Sequence, residues 1–239
     1  MRAAAAYDLV SFDLDGTLVD TAGEIAEAVN LALEDHGLAR RPLEEITALI
    51  GAGTHALMLK LLVQMGVGPG SALPIGAMLQ SLDRRYAETA GSSARVYTGA
   101  ADALRALRAA GVRLACTTNK ELRHAQRVLA MTGLAGHFDL VIGGDSLPEK
   151  KPHPSVLRQV AADLGAPPLG RCGHVGDSRI DVQAARNAGF AAWAVPYGYN
   201  GGEPVARAAP DRLFRDLRAL ADHVLGGAGT RREAGIAGP

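Results

Sequence analysis

Asp13 and Asp15 stand one residue apart at the end of the apolar run Tyr7 to Phe12, with Gly16 and Thr17 just beyond. A short apolar run of this kind reads as a buried strand, and open α/β sheets bind their ligands at the carboxyl ends of their strands. Two acids this close do not both ionise comfortably in a partly dry site unless a cation joins them. The arrangement suits a metal-bound nucleophilic aspartate beside a carboxyl that keeps or shuttles a proton.

The same reading finds polar groups after each later apolar run. Val112–Thr117 is followed by Thr118, Asn119 and Lys120. Leu140–Ile142 leads through Gly143-Gly144-Asp145 to Lys150-Lys151-Pro152-His153-Pro154, and Arg171–Val175 leads into Gly176-Asp177-Ser178-Arg179-Ile180-Asp181. A parallel sheet would bring all these ends to one edge. The resulting set of carboxylates, hydroxyl, amide and lysine suits a dianionic phosphate and a hard divalent cation.

The elements that must position these groups follow from periodicity and punctuation. Thr21 and Glu24 have capping-box spacing, which predicts a helix from Ala22 to His36 with Ile25, Ala28, Val29, Ala32 and Leu33 on one face. Further helices are expected over Leu43–Ile50, His55–Met65 and Ala72–Ala90, with no strand pattern between Thr21 and Gly91. From Gly91-Ser92-Ser93 onward, helices of about ten residues alternate with short strands, the signature of βαβ units. The helices are Ala101–Ala110, Glu121–Met131, Pro154–Leu164 and Ile180–Ala188, and a last strand covers Ala191–Val195. A closing helix spans Leu217–Val224, and the segment from Gly226 to Pro239 is expected to be a frayed tail. The fold class is α/β, a Rossmann-like parallel sheet with an inserted α-helical cap. Residues 1–20 and 93–225 form the expected core domain, and residues 21–92 the cap.

Twenty-five basic residues balance 25 acidic ones, so no global field attracts nucleic acid or a membrane. No apolar run reaches the ~20 residues of a bilayer span. Cys116 and Cys172 fall in expected strands and read as reduced core thiols, which fits the cytoplasm.

Taken together, Asp13-Leu14-Asp15-Gly16-Thr17, Thr118 closing its strand, Lys151 before proline, and Gly176-Asp177-Ser178-Arg179-Ile180-Asp181 resemble the four motifs of the haloacid dehalogenase (HAD) superfamily of phosphatases. The helical stretch sits where that superfamily carries its first type of cap. Closer detail, in Thr118-Asn119-Lys120, Val141 to Asp145, Lys150 to Pro154 and Tyr197-Gly198-Tyr199-Asn200, is similar to bacterial phosphoglycolate phosphatases. Thr98 departs from the usual proline, and Ala52 from the usual asparagine of the cap loop.

That resemblance implies a role for each residue. Asp13 attacks phosphorus to form an aspartyl-phosphate. Asp15 protonates the departing alkoxide and then takes a proton from the hydrolytic water. Asp13, the main-chain carbonyl of Asp15 and Asp177 hold Mg²⁺, the cofactor that an all-oxygen ligand set favours. Asp181 orients metal-bound waters or Lys151. Lys151 neutralises Asp13 and the phosphoryl oxygens. Thr118 binds a phosphate oxygen, with Asn119 and the main-chain N–H of Leu14 assisting.

The expected reaction is Mg²⁺-dependent hydrolysis of a small phosphate monoester, 2-phosphoglycolate foremost, by a monomer or homodimer. A sugar phosphate or pyrophosphate, a sugar phosphomutase and a receiver-like signalling module are the alternatives. Lys120 and Arg179 flank the site and could contact a substrate carboxylate, and His55, Lys60, Arg84 and Arg85 are basic residues of the cap, one of which could read the substrate's distal end. His153 and His174 lack zinc spacing and read as structural. Gly51-Ala52-Gly53 lacks the rest of a nucleotide-binding fingerprint.

Overall fold

Leu9, Val10, Ser11 and Phe12 have no exposed surface, and the strand they form, β1 (Leu9–Phe12), lies inside a parallel sheet. The computed structural model describes residues 5–67, 73–165 and 168–226. After β1 come β2 (Val19–Asp20), α1 (Ala22–Glu34), α2 (Leu43–Thr47), α3 (Thr54–Gln64), α4 (Ile75–Thr89) and β3 (Arg95–Val96). The alternating half follows, with α5 (Ala100–Ala109), β4 (Arg113–Thr117), α6 (Leu122–Met131), β5 (Leu140–Ile142), α7 (Pro154–Asp163), β6 (Cys172–Gly176), α8 (Arg179–Ala188), β7 (Ala191–Ala194), β8 (Arg212–Leu213) and α9 (Leu217–Val224).

Six strands pair in the order β5-β4-β1-β6-β7-β8, and every pairing is parallel. The chain adds strands on one side of β1 and then on the other, so β1 sits at the point where the order reverses, the usual place for a ligand crevice. Register fixes what gathers there. Phe12 is level with both Cys116 and Val175, so Asp13, Thr118 and Asp177 emerge within two residues of one line at the carboxyl edge.

Helices cover both faces, as a fully parallel sheet requires. On one face Val156, Leu157 and Val160 of α7 and Val182 and Ala185 of α8 pack over Leu9 and Ala115. On the other, Leu104 and Leu107 of α5 and Leu217 and Leu220 of α9 join Val10, Phe12 and Leu114. The fold is the expected α/β architecture. Among the described residues, no helix is long and apolar enough to cross a membrane.

Helices α1 to α4 lie between two strands that the periodicity did not signal, since β2 and β3 have only two residues each. They pair antiparallel, Val19 opposite Val96 and Asp20 opposite Arg95, and form a narrow link at the base of the helical block. The predicted apolar face of α1 is buried, packed along Met78, Leu82 and Tyr86 of α4.

The Thr21–Glu24 capping box is not formed. Thr21 Oγ1 instead donates to Asp15 at 2.6 Å, and the Tyr199 hydroxyl accepts the N–H groups of Thr21 and Ala22 at 2.6 and 2.9 Å. A capping box is present at α8, where Ser178 and Asp181 exchange side-chain to backbone bonds. The strand β8 was also not foreseen. The expected tail lies outside the described residues beyond Gly226.

Candidate active site

Asp13, one residue past β1, is 7 % exposed, and Lys151 beside it 4 %. Lys151 Nζ lies 2.9 Å from Asp13 Oδ1 and 2.7 Å from Asp181 Oδ1. Burial works against the lysine's charge, but the two carboxylates outweigh it and hold its pKa above the ordinary value. Asp181 is itself fixed from three sides. Its Oδ2 accepts the Ser178 hydroxyl at 2.6 Å and the Ser178 N–H at 3.1 Å, and His174 Nε2 stands 3.4 Å from its Oδ1. Burial would raise Asp181, yet Lys151 and His174 pull it well below the usual carboxylate range. Asp181 therefore stays ionised and orients Lys151.

This support continues beneath the sheet edge. His174 Nδ1 is 3.0 Å from the Ser11 hydroxyl, which donates to Thr117 Oγ1 at 2.8 Å. Burial depresses the His174 pKa, so the ring is a neutral strut. A buried polar chain this complete holds its members in one arrangement.

Asp177 follows β6 and opens the turn into α8. Its Oδ2 accepts the main-chain N–H groups of Tyr199 at 2.6 Å and Asn200 at 3.3 Å. Among the described residues, its Oδ1 has only the Thr17 hydroxyl at 3.5 Å. Gly16 has φ +80°, and a Cβ there would run into the Asp177 carboxylate, so only glycine lets the Asp13–Thr17 turn come this close.

The fit to a cation follows from these contacts. Ligand oxygens of Asp13, Asp177 and Asp181 lie within 4.8 Å of one another. Asp181 spends both oxygens on protein donors, whereas Asp13 Oδ1 is buried without a hydrogen-bond donor in good geometry, its Lys151 contact being an ion pair. Burial pushes Asp13 up to about 7 and Asp177 up to about 8, with neighbouring carboxylates adding to both shifts. Two buried carboxyls that resist ionisation, with only oxygen donors around them, fit a hard divalent cation better than an empty polar pocket.

Thr118 and Asn119 follow β4 and are both buried. The Thr118 hydroxyl accepts the Lys120 N–H at 3.2 Å, leaving its proton for an anion. The Asn119 side chain is already engaged. Its Oδ1 accepts the Lys151 N–H at 3.0 Å, and its Nδ2 donates to the Lys151 and Gly51 carbonyls, each at 3.1 Å. Asn119 thus ties Lys151 to the α2–α3 loop, and what it can offer a phosphate is its main-chain N–H. That loop approaches closely at Gly53, where φ is +96° and a Cβ would lie 2.7 Å from the Asn119 carbonyl oxygen. Gly51-Ala52-Gly53 is accordingly a contact loop. The Lys151–Pro152 peptide is cis.

Asp13, Asp15, Thr118, Asn119 and Lys120 line one pocket with Ile25, Ile50, Gly53, Thr54 and Leu57 of the helical block. Its free interior is about 20 Å³, little more than one water requires. Lys120, expected beside the site either as a contact for a substrate carboxylate or as a solvated charge, is 2 % exposed. Its pairing with Asp15, and the involvement of Tyr86, Glu24 and Thr21, were not foreseen, because a lysine or tyrosine in an amphipathic pattern carries no mark of its tertiary partner.

The remaining basic candidates are elsewhere. His55 pairs with Asp83 at 2.9 Å, Arg85 with Asp35 at 2.5 Å, and Arg84 with Ser81 at 2.8 Å. Lys60 and Arg179 line a separate 440 Å³ cleft between the block and the sheet edge. His153 caps α7 through Ser155, and Cys116 and Cys172 are buried free thiols.

The chain is similar to known proteins. A phosphoglycolate phosphatase of Nitrosospira multiformis is 43 % identical over 209 residues, covering 87 % of this chain and 91 % of the relative. A plasmid phosphoglycolate phosphatase of Cupriavidus necator is 41 % identical over 213 residues, 88 % and 90 % of the two chains. A crystal structure from Haemophilus somnus, described as a predicted phosphoglycolate phosphatase, superposes with a TM-score of 0.83 at 32 % identity, covering 92 % of this chain and 97 % of that one. Residues 7–189, which carry β1 through α8 and every carboxylate and lysine described above, match the haloacid dehalogenase-like hydrolases, and the chain belongs to that family.

Proposed function

We propose that this chain is a magnesium-dependent phosphomonoesterase that converts 2-phosphoglycolate and water to glycolate and phosphate. The observation that carries the reading is the buried Asp13 carboxylate, paired with Lys151 at 2.9 Å and clustered with Asp177 and Asp181. The names of the curated relatives supply the substrate.

Asp13 attacks the phosphorus, the bond from phosphorus to the ester oxygen breaks, and an aspartyl-phosphate forms. Asp15 gives its proton to the departing alkoxide. Asp15 then takes a proton from the water that attacks the aspartyl-phosphate, which returns Asp13 and releases phosphate. Lys151, held by Asp181, balances charge on Asp13 and on the phosphoryl oxygens. Thr118 donates its hydroxyl to one of those oxygens. The carboxylates of Asp13 and Asp177, with the main-chain carbonyl of Asp15, would hold magnesium. When bound, it supplies charge neutralisation at the phosphoryl group.

The helical block, residues 21–92 by our reading, acts as a cap. A pocket of about 20 Å³ does not admit a phosphate ester, so the block swings away for entry and closes to exclude water. Its small, partly apolar lining of Ile25, Ile50 and Leu57 favours a short leaving group over a sugar. Buried free thiols are compatible with a reducing compartment, and we place the enzyme in the cytoplasm.

Phosphate release from a panel of monoesters with Mg²⁺, ranked by kcat/KM, tests the assignment. We expect 2-phosphoglycolate to lead, and a sugar phosphate ranking far above it would overturn the substrate.

A further inference from the structure

An ammonium group is kept out of water only where partners replace the lost hydration. Lys120 has two such partners. Its Nζ lies 2.6 Å from Asp15 Oδ1 and donates to the Tyr86 hydroxyl, and it stands 4.9 Å from the centroid of the same ring. The Tyr86 hydroxyl donates in turn to Glu24 Oε1 at 3.2 Å, and Glu24 Oε2 accepts the Gly91 N–H at 2.7 Å. The line therefore runs from the carboxyl end of α4, through α1, to an acid at the sheet edge. From the other side, the Thr21 hydroxyl reaches the same Asp15 Oδ1 at 2.6 Å.

We infer that Lys120, braced by Tyr86, is a positioning residue that holds Asp15 in place for proton transfer. The inference rests on the role of Asp15 proposed above. Lys120 and Thr21 both take Oδ1, which leaves Oδ2 as the oxygen that carries the proton. Lys120 transfers no proton and acts only through its contacts with Asp15 and Tyr86. As the phosphorus–oxygen bond breaks, the proton on Oδ2 passes to the leaving alkoxide, and Oδ2 recovers one from the hydrolytic water. Because Tyr86 and Glu24 belong to the helical block while Lys120 and Asp15 belong to the sheet edge, the brace is complete only when the block rests against the sheet. Closure of the pocket and placement of the acid are then one event.

The test exploits a difference between small two-carbon leaving groups. Ethyl phosphate and 2-phosphoglycolate release alkoxides, which need a proton. Acetyl phosphate releases acetate, which does not. Values of kcat/KM report the step in which the leaving group departs. With Mg²⁺ present, Lys120→Met should lower kcat/KM for both alkyl esters by ~10²-fold, the lower end of what general acid catalysis supplies, and leave acetyl phosphate within about threefold. Tyr86→Phe, which removes one hydroxyl, should give the same split at about tenfold.

Equal losses on all three substrates would overturn the inference in favour of a purely structural or phosphate-binding lysine. A loss confined to 2-phosphoglycolate would overturn it in favour of a reader of the substrate carboxylate. If Lys120→Met does not fold, Tyr86→Phe decides by the same criterion. A wild-type enzyme that hydrolyses ethyl and acetyl phosphate but not 2-phosphoglycolate would refute the substrate and leave the comparison for Lys120 intact.

Discussion

At Asp13 the requirements of catalysis and of stability oppose one another. Burial, with neighbouring carboxylates, makes the Asp13 carboxyl costly to ionise even beside Lys151, and it is this reluctance that a bound cation relieves. Asp13→Asn should therefore remove turnover, measured as phosphate release, while raising the thermal midpoint of the metal-free protein near pH 8, because a neutral isostere replaces a group that must otherwise ionise there. Asp15→Asn should lower kcat by ~10²–10⁴-fold, read by steady-state kinetics, with the fold intact. Asp13, Asp15, Thr118 and Asp177 could be singled out in the sequence because each closely follows an apolar run, where local pattern and topology coincide; Lys151, on the loop beyond Ile142, and Asp181, in the first turn of α8, were singled out by the motifs that follow their runs. Lys120, Tyr86 and Glu24 were not legible as partners. Each sits in a stretch whose local pattern is satisfied by a solvated or plainly helical role, and only the fold brings them together.

Elements show the same division. The βαβ half could be read nearly residue by residue, since glycine stops such as Gly111, Gly133, Gly165 and Gly189 separate amphipathic helices from buried strands. The strands β2, β3 and β8 have two residues each and carry no periodicity to detect. Thr21-Ala22-Gly23-Glu24 had the right spacing for a capping box, but both side chains found tertiary partners, and Tyr199 took over the cap of α1. Tyr199→Phe should therefore uncap the Thr21 N–H, leave the Ala22 N–H to Asp20 alone, and lower stability by ~1 kcal/mol, seen as a drop of about 2–4 °C in the thermal midpoint for a chain of this size. Gly16→Ala should strain a left-handed turn and push its methyl group against Asp177. We expect the Mg²⁺ concentration for half-maximal activity to rise at least ~10-fold, measured by metal titration of the rate.

For the whole molecule, the raised carboxyls link stability to pH. Unfolded aspartates titrate near their ordinary values, about 4, whereas Asp13 and Asp177 in the fold titrate at about 7 and about 8. Between these limits the folded protein holds protons that the unfolded chain has released. From these two acids the metal-free protein loses stability as pH rises from about 4 to about 8, while His174 and His124, held low by burial, act in the opposite sense up to about 6.5. Glu24, raised by burial, adds in the same sense as the two acids, whereas the lowered Asp181 loses its contribution only on the acid side of this window. Since Mg²⁺ binds the ionised pair, its stabilisation should grow over the same interval. Thermal midpoints with and without Mg²⁺ should differ more at pH 8 than at pH 5. An increment equal at both values would disconnect the acidic cluster from the metal.

The most direct measurement of the central claim is the initial rate of phosphate release from 2-phosphoglycolate by one preparation before chelation, after removal of divalent cations, and after Mg²⁺ is restored. A site built on Asp13, Asp177 and Lys151 predicts loss of the rate on chelation and its return with Mg²⁺, with Asp13→Asn silent under all three conditions. Full activity in the presence of a strong chelator, or measurable turnover by Asp13→Asn with Mg²⁺, would contradict it.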